Sequence, residues 1–150
     1  MYKRQQVTGR VKEAYSTWNK LLREHEQQVW QLSDAIALRV VVTPKDNQDA
    51  QALCYQAQQL CQQRLLGWSS SSSSFARTVI TKTKDYIKSP KANGYQSLHT
   101  AARLEYKGLP WNVEVQIRSN AMHQKAEFGA CAHWDYKQQQ DEEVQLLVRP

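Results

Sequence analysis

Between Lys84 and Thr100 the chain reads KDYIKSPKANGYQSLHT, a stretch rich in groups that handle anions and flat rings. Lys84, Lys88 and Lys91 crowd three ammonium groups together, and like charges this close repel unless an anion lies between them. Tyr86 and Tyr95 offer faces on which a base can stack, and Gln96, Ser97 and His99 follow with hydrogen-bonding groups. Pro90 and the Asn93-Gly94 pair interrupt helix and central strand alike, so a twice-bent loop that displays its side chains is expected. The composition suits a nucleotide pocket; a solvated, lysine-rich surface loop would share it.

Two further groups could act on phosphates. Lys12, Ser16 and Lys20 lie four residues apart on one face of an expected helix, with Arg10 just ahead. Free backbone N–H groups and the helix dipole favour phosphate at that end, so the four residues read as an anion cradle or as the exposed face of an ordinary amphipathic helix. Asp34 opens the apolar run DAIALRVVVT, and Glu114 stands in a polar row with Asn112, Gln116 and Arg118. Two carboxylates that converge over a sheet can hold Mg²⁺ against nucleotide phosphates. A turn residue and a solvated strand face are the plainer readings. His123 and Glu127 are four apart on a last helix, but neither HExxH spacing nor a third ligand accompanies them, so they read as a polar pair supporting the site.

The elements that must carry these residues follow from periodicity. Residues 2–8 are expected to form a short strand ending at Thr8-Gly9, with a helix from Val11 whose Tyr15, Trp18 and Leu22 face the core. In the next strand Ile36, Leu38, Val40 and Val42 share one face and Ala37, Arg39 and Val41 the other, as in a mostly buried, central strand. Asp49 opens a second helix with Ala50, Leu53, Cys54, Ala57, Leu60, Cys61 and Leu65 on its apolar stripe, ending at Gly67. Six serines, Ser69 to Ser74, form a low-complexity link expected to be exposed. A short strand over 75–81 precedes the tyrosine loop, and strands 100–106 and 111–118 form a hairpin around Lys107-Gly108-Leu109-Pro110. Trp111, Val113, Val115 and Ile117 face opposite the polar row. Asn120 is expected to cap a final helix with Met122, Ala126, Gly129, Ala130, His133 and Trp134 on its packing side, and residues 138–150 form a polar tail.

At 150 residues the chain has room for one core, and 41% hydrophobic residues with five Trp and seven Tyr describe a globular domain. No apolar run approaches the roughly 20 residues that span a bilayer, and no secretory h-region follows the start. A net charge of +6 favours an anionic partner: nucleic acid, anionic membrane or phosphorylated small molecule. Cys54, Cys61 and Cys131 lack CxxC spacing and read as reduced core thiols.

In GRVKEAYSTWNKL (9–21), DAIALRVVV (34–42), KDYIKSPKANGYQSLHT (84–100), EVQIRS (114–119) and MHQKAEFGACAHWDYK (122–137), taken in this order, the chain resembles the synthetase domain of the RelA/SpoT homologues. The resemblance implies an α+β fold, a mixed sheet flanked by helices of the nucleotidyltransferase type, over residues 1–137. It also implies transfer of pyrophosphate from ATP to the 3'-hydroxyl of GDP or GTP with Mg²⁺. By motif position Arg10 would stack on adenine, and Lys12, Ser16 and Lys20 would hold the ATP phosphates. Asp34 would bind Mg²⁺, and Glu114 would share the metal or act as base. Tyr95 would stack on guanine in an acceptor pocket with Lys84, Lys91, Asn93, His99 and Gln116, supported by Lys82, Arg118, His123 and Glu127.

Where the family carries Pro-Gly-Arg before KDYI, this chain has Ile80-Thr81-Lys82, and lysine keeps the charge without the bidentate fork. The family's helix ahead of GRxK, its hydrolase domain and its regulatory domains have no counterpart here, so a synthetase-only unit is expected. The alternative is a catalytically impaired, guanine-nucleotide-binding regulatory module of the same fold. Neither a membrane nor an obligatory nucleic acid is expected as partner. The expected location is the cytoplasm, or the chloroplast in a plant or alga.

Overall fold

The computed structural model describes residues 6–12, 14–25, 28–32, 34, 36–45, 47–67 and 75–129. In order come β1 (Gln6–Val11), α1 (Ala14–Glu24), a 3-10 turn (Val29–Gln31), β2 (Ile36–Val42), α2 (Ala50–Gly67), β3 (Phe75–Asp85), β4 (Leu98–Tyr106), β5 (Leu109–Ser119) and α3 (Asn120–Phe128). The strands form one mixed sheet ordered β1-β2-β5-β4-β3, in which β2 and β5 run parallel and the other neighbours antiparallel. This is the α+β architecture the sequence implies, although β5 rather than β2 takes the centre. The serine run, Cys131, the packing residues Ala130, His133 and Trp134, and the tail 138–150 lie outside the described residues.

Alternation gives the sheet two different faces. Val40, Val42, Val115, Ile117, Leu98 and Ala102 turn to one side and pack with Cys54, Ala57 and Leu65 of α2, Ile87 and Met122. That face follows the expected stripes, except that Leu60 of α2 and Ile36 at the start of β2 are exposed. Burial raises the Cys54 thiol to about 11 and pushes the Cys61 thiol up as well, so both are inert packing groups. Asp49 caps α2 by accepting a hydrogen bond from the Gln51 amide. α3 is capped by the Ser119 hydroxyl, which accepts from the Met122 amide, and not by Asn120. Ser119 ends β5 and is already buried, so its short side chain stands directly over the free amides.

Other expectations needed correction. β1 continues through Gly9 and Arg10 to Val11, because pairing with β2 from Gln6↔Val41 to Val11↔Ile36 satisfies its backbone, and the helix waits until Ala14. Tyr15, Trp18 and Leu22 do not enter the core: each is more than half exposed. β3 is longer than expected, and its Lys84 and Asp85 belong to the strand. The hairpin loop is only Lys107-Gly108, both at positive φ (51° and 75°), leaving Leu109 and Pro110 in β5. Two residues at positive φ make the turn whose twist matches the paired strands.

That turn yields a test of the fold. Lys107→Asn places a residue tolerant of positive φ in the first turn position and should raise unfolding free energy by a few tenths to about 1 kcal/mol in urea titration. Ile117→Ala, at a fully buried position of the central strand, should lower it by about 2–5 kcal/mol.

Candidate functional site

The opposite face of the sheet carries charge. Strand register aligns Arg10, Ala37, Glu114, Ala101 and Lys82 in one row, and Thr8, Arg39, Gln116, His99 and Lys84 in the next. Lys82 and Lys84 share this face with Val79 because the pairing of β3 with β4 shifts by one residue between Ile80 and Lys82. Thr81 is the extra residue, its hydroxyl bonded to the Ala101 carbonyl. Along β5 the polar row is not a solvated surface: Glu114 is 7% exposed and Arg118 2%.

A buried carboxylate needs donors, and Glu114 has them. His99 Nδ1 stands 3.0 Å from its Oε1, and Gln116 Nε2 donates to its Oε2 at 2.7 Å. Burial pushes the Glu114 carboxyl up, but the bonds from His99 and Gln116 outweigh it, so the carboxyl is held below its ordinary value. The charge of Asp34 works against that ionisation, which places the two carboxylates within electrostatic reach of each other. On its far side His99 Nε2 lies 3.0 Å from the Tyr95 hydroxyl, whose own ionisation burial opposes. A carboxylate only accepts, so Nδ1 carries the hydrogen, and the Tyr95 hydroxyl, which can donate or accept, pairs with Nε2.

Asp34 sits just before β2 and is clamped by Lys20 Nζ at 2.8 Å and Lys12 Nζ at 3.1 Å. Partial burial pushes its carboxyl up, and the two ammonium groups more than reverse this, holding it below the usual value. Lys12, Lys20 and Asp34 are therefore brought together. Ser16 is half-buried on α1, whereas Lys12 precedes that helix and Arg10 lies on β1.

The tyrosine loop closes the other end. Asn93 Oδ1 accepts from the Tyr95 amide, and Gly94 takes a φ of 80°, which bends the chain back. Tyr86, Tyr95 and His99 meet edge to face, with centroids 5.3 to 6.0 Å apart, and Lys91 Nζ lies 5.2 Å from both tyrosine rings. Arg118 lies 5.9 Å from the Tyr95 ring. It is held by His123 Nδ1 and Glu127 Oε1, each at 2.7 Å. His123 and Glu127 thus both bond Arg118.

In the sequence Arg39 stands out only as part of an alternating strand. The structure puts it 3.1 Å from Glu127, so that one carboxylate serves two guanidinium groups. The Nε of both arginines is buried without an acceptor among the described residues. Its signal in the sequence was a lone charge inside IALRVVV, a segment otherwise wholly apolar. Positive charge in excess of its partners, at a partly buried face, is a place for phosphate.

Among the described residues no three His, Cys, Asp or Glu side chains gather to hold a metal by themselves. Nor is any of their helices long and apolar enough to cross a membrane. The His99–Glu114 pair is directly testable. Because the folded carboxyl titrates low, the stability it contributes is complete above its unfolded value and is lost as pH falls through the folded one. In His99→Leu the donor disappears and burial prevails, so the Glu114 carboxyl carbon followed by NMR should titrate at higher pH than in the wild type. An unshifted curve would contradict this account.

Residues 9–141 match the family model described as a region found in RelA / SpoT proteins. The chain is 38% identical over 143 residues to the bifunctional (p)ppGpp synthase/hydrolase SpoT of Escherichia coli (strain K12), covering 95% of this chain and 17% of that protein. It is 39% identical over 132 residues to a probable chloroplastic GTP diphosphokinase of Arabidopsis thaliana, covering 88% of this chain and 16% of that one. It therefore spans about a sixth of the length of these relatives. Its fold is similar to the structure of a GTP pyrophosphokinase family protein from Streptococcus pneumoniae, with a TM-score of 0.64 at 25% identity, covering 88% of this chain and 60% of the other. A match that begins at Gly9 and continues beyond α3 takes in both carboxylates and the tyrosine loop, and the chain belongs to the RelA/SpoT family.

Proposed function

We propose that this chain is a (p)ppGpp synthetase domain that transfers the terminal pyrophosphate of ATP to the 3'-hydroxyl of GDP or GTP. The observation that carries the reading is the buried, ionised Glu114 held by His99 and Gln116 on the face it shares with Arg10, Arg39, Lys82 and Lys84.

In this reaction the 3'-oxygen forms a bond to the β-phosphorus of ATP, the bond from that phosphorus to the α-phosphate oxygen breaks, and AMP leaves. Little covalent chemistry is asked of the protein; position and charge neutralisation are the larger needs. Glu114 accepts the 3'-hydroxyl proton, its two donors fixing the carboxylate while leaving a lone pair for the substrate. Lys12, Ser16 and Lys20 take the ATP phosphates, the two lysines exchanging Asp34 for phosphate oxygens. Arg10 takes the adenine. Tyr95 provides the stacking face for guanine, with Lys84, Lys91, Asn93, His99 and Gln116 around the acceptor, and Lys82, Arg118, His123 and Glu127 behind them.

The carboxylate oxygens of Asp34 and Glu114 are hard donors and would be the groups that hold Mg²⁺. Such an ion would neutralise charge on the transferring phosphates. A second reading, binding without turnover, is favoured by the exposed Lys82, a point charge where the family has an arginine.

With ATP, GDP and Mg²⁺ the chain should form ppGpp and AMP. Glu114→Gln should lower kcat by about 10²- to 10⁴-fold. Tyr95→Ala should raise KM for the guanine nucleotide by roughly 5- to 150-fold, the equivalent of losing about 1–3 kcal/mol of stacking. Wild-type turnover in Glu114→Gln would remove the proposed base, and calorimetric binding of GDP with no product would favour the binding module.

A further inference from the structure

α1 is eleven residues long, shorter than the roughly 12–15 residues at which an isolated helix becomes even marginally stable in water. Helices of this length persist by burying an apolar face, yet here Tyr15 is 57% exposed, Trp18 60% and Leu22 58%. These three recur at helical spacing and form one stripe. The ion pair of Lys20 with Asp34 secures the opposite side, and a partly exposed ion pair contributes little. A stripe of Tyr, Trp and Leu left in water is the mark of a surface that something covers.

We propose that this stripe is the docking surface for the chain's own C-terminal segment, residues 130–148. Three observations select it over other occupants. The first is the path of the chain: α3 follows its cap Ser119, which lies opposite Val42, and Glu127, one residue before its end, bonds Arg39 three positions back along β2. Arg39 pairs with Thr8 of β1, the strand that leads through Val11 into α1, so the chain leaves α3 on the side from which α1 departs. The second is reach: α1 is about 16 Å long, which the segment spans even if wholly helical. The third is composition, since the segment supplies Trp134, Tyr136, Val144, Leu146, Leu147 and Val148 as apolar partners. Its acidic Asp135, Asp141, Glu142 and Glu143 outnumber Lys137 and suit the neighbourhood of Arg23. Docking holds in place the helix that carries Ser16 and Lys20.

Amide hydrogen exchange on the full chain, without nucleotide, tests this independently of any catalytic reading. Leu146→Asp/Leu147→Asp should speed exchange of the α1 amides about tenfold or more while those of β4 and β5 keep wild-type rates. Trp18→Asp should conversely speed exchange across 140–148. Should the double variant also loosen β4 and β5, the milder Trp134→Ser makes the same comparison. Unchanged α1 exchange overturns the proposal. So does wild-type α1 protection that rises with protein concentration, since a second copy would then be the cover.

Discussion

A carboxylate buried at the middle of a sheet is tolerable only where donors surround it, and the placement of Glu114 sets most of what lies around it. It sits in the central strand, so neighbours can come only from β2, from β4 and from its own strand two residues on. β4 supplies His99, β5 supplies Gln116, and β2 supplies Ala37 as the paired neighbour. His99 in turn needs a hydrogen-bond partner at Nε2, and the loop bends at Asn93-Gly94 so that the Tyr95 hydroxyl provides it. The hydrogen-bond chain thus joins the sheet to the loop, and disturbing any member exposes the others to the full cost of burial.

The two faces of the sheet divide the work. The apolar face packs on α2 and fixes the strands in register, and that register decides which charges meet on the other face. Charge accumulates there because every group is anchored from below by a dry core. Arg118 is stacked near Tyr95 and tied to α3, Arg39 reaches the same carboxylate, and Asp34 binds two lysines. Such density of ionised groups would be prohibitive on a flexible loop and is tolerable on a rigid platform.

Much of this was legible in the sequence. The alternation in IALRVVV and WNVEVQIRS gave both faces of β2 and β5, and Asp49 and Lys107-Gly108 marked a helix start and a hairpin. Asp34, Glu114, Lys12, Lys20, Tyr95 and His99 were singled out by chemical type and by family resemblance, and they do lie on or beside one face. Three things were hidden for physical reasons. The stripe Tyr15-Trp18-Leu22 has the period of a core-facing helix, and periodicity cannot say whether a face is covered. The one-residue shift at Thr81 is invisible because a regular alternation would put Lys82 and Lys84 with Ile80, whereas the strand actually sets them opposite it. Arg39 was overlooked because its partner, Glu127, is remote in sequence and was itself assigned to His123.

The parallel pairing of β2 with β5 joins Ile36 to Val113 although α2, β3 and β4 intervene. Antiparallel neighbours such as β4 and β5 can zip from their shared turn, but this central seam has no local nucleus and closes a very long loop. During synthesis β2, with Asp34 just ahead of it, must therefore wait, its hydrogen-bonding edge open, until almost the whole sheet has left the ribosome. The site should then be among the last features to mature, and a nascent or truncated chain lacking β5 would hold one acid without the other.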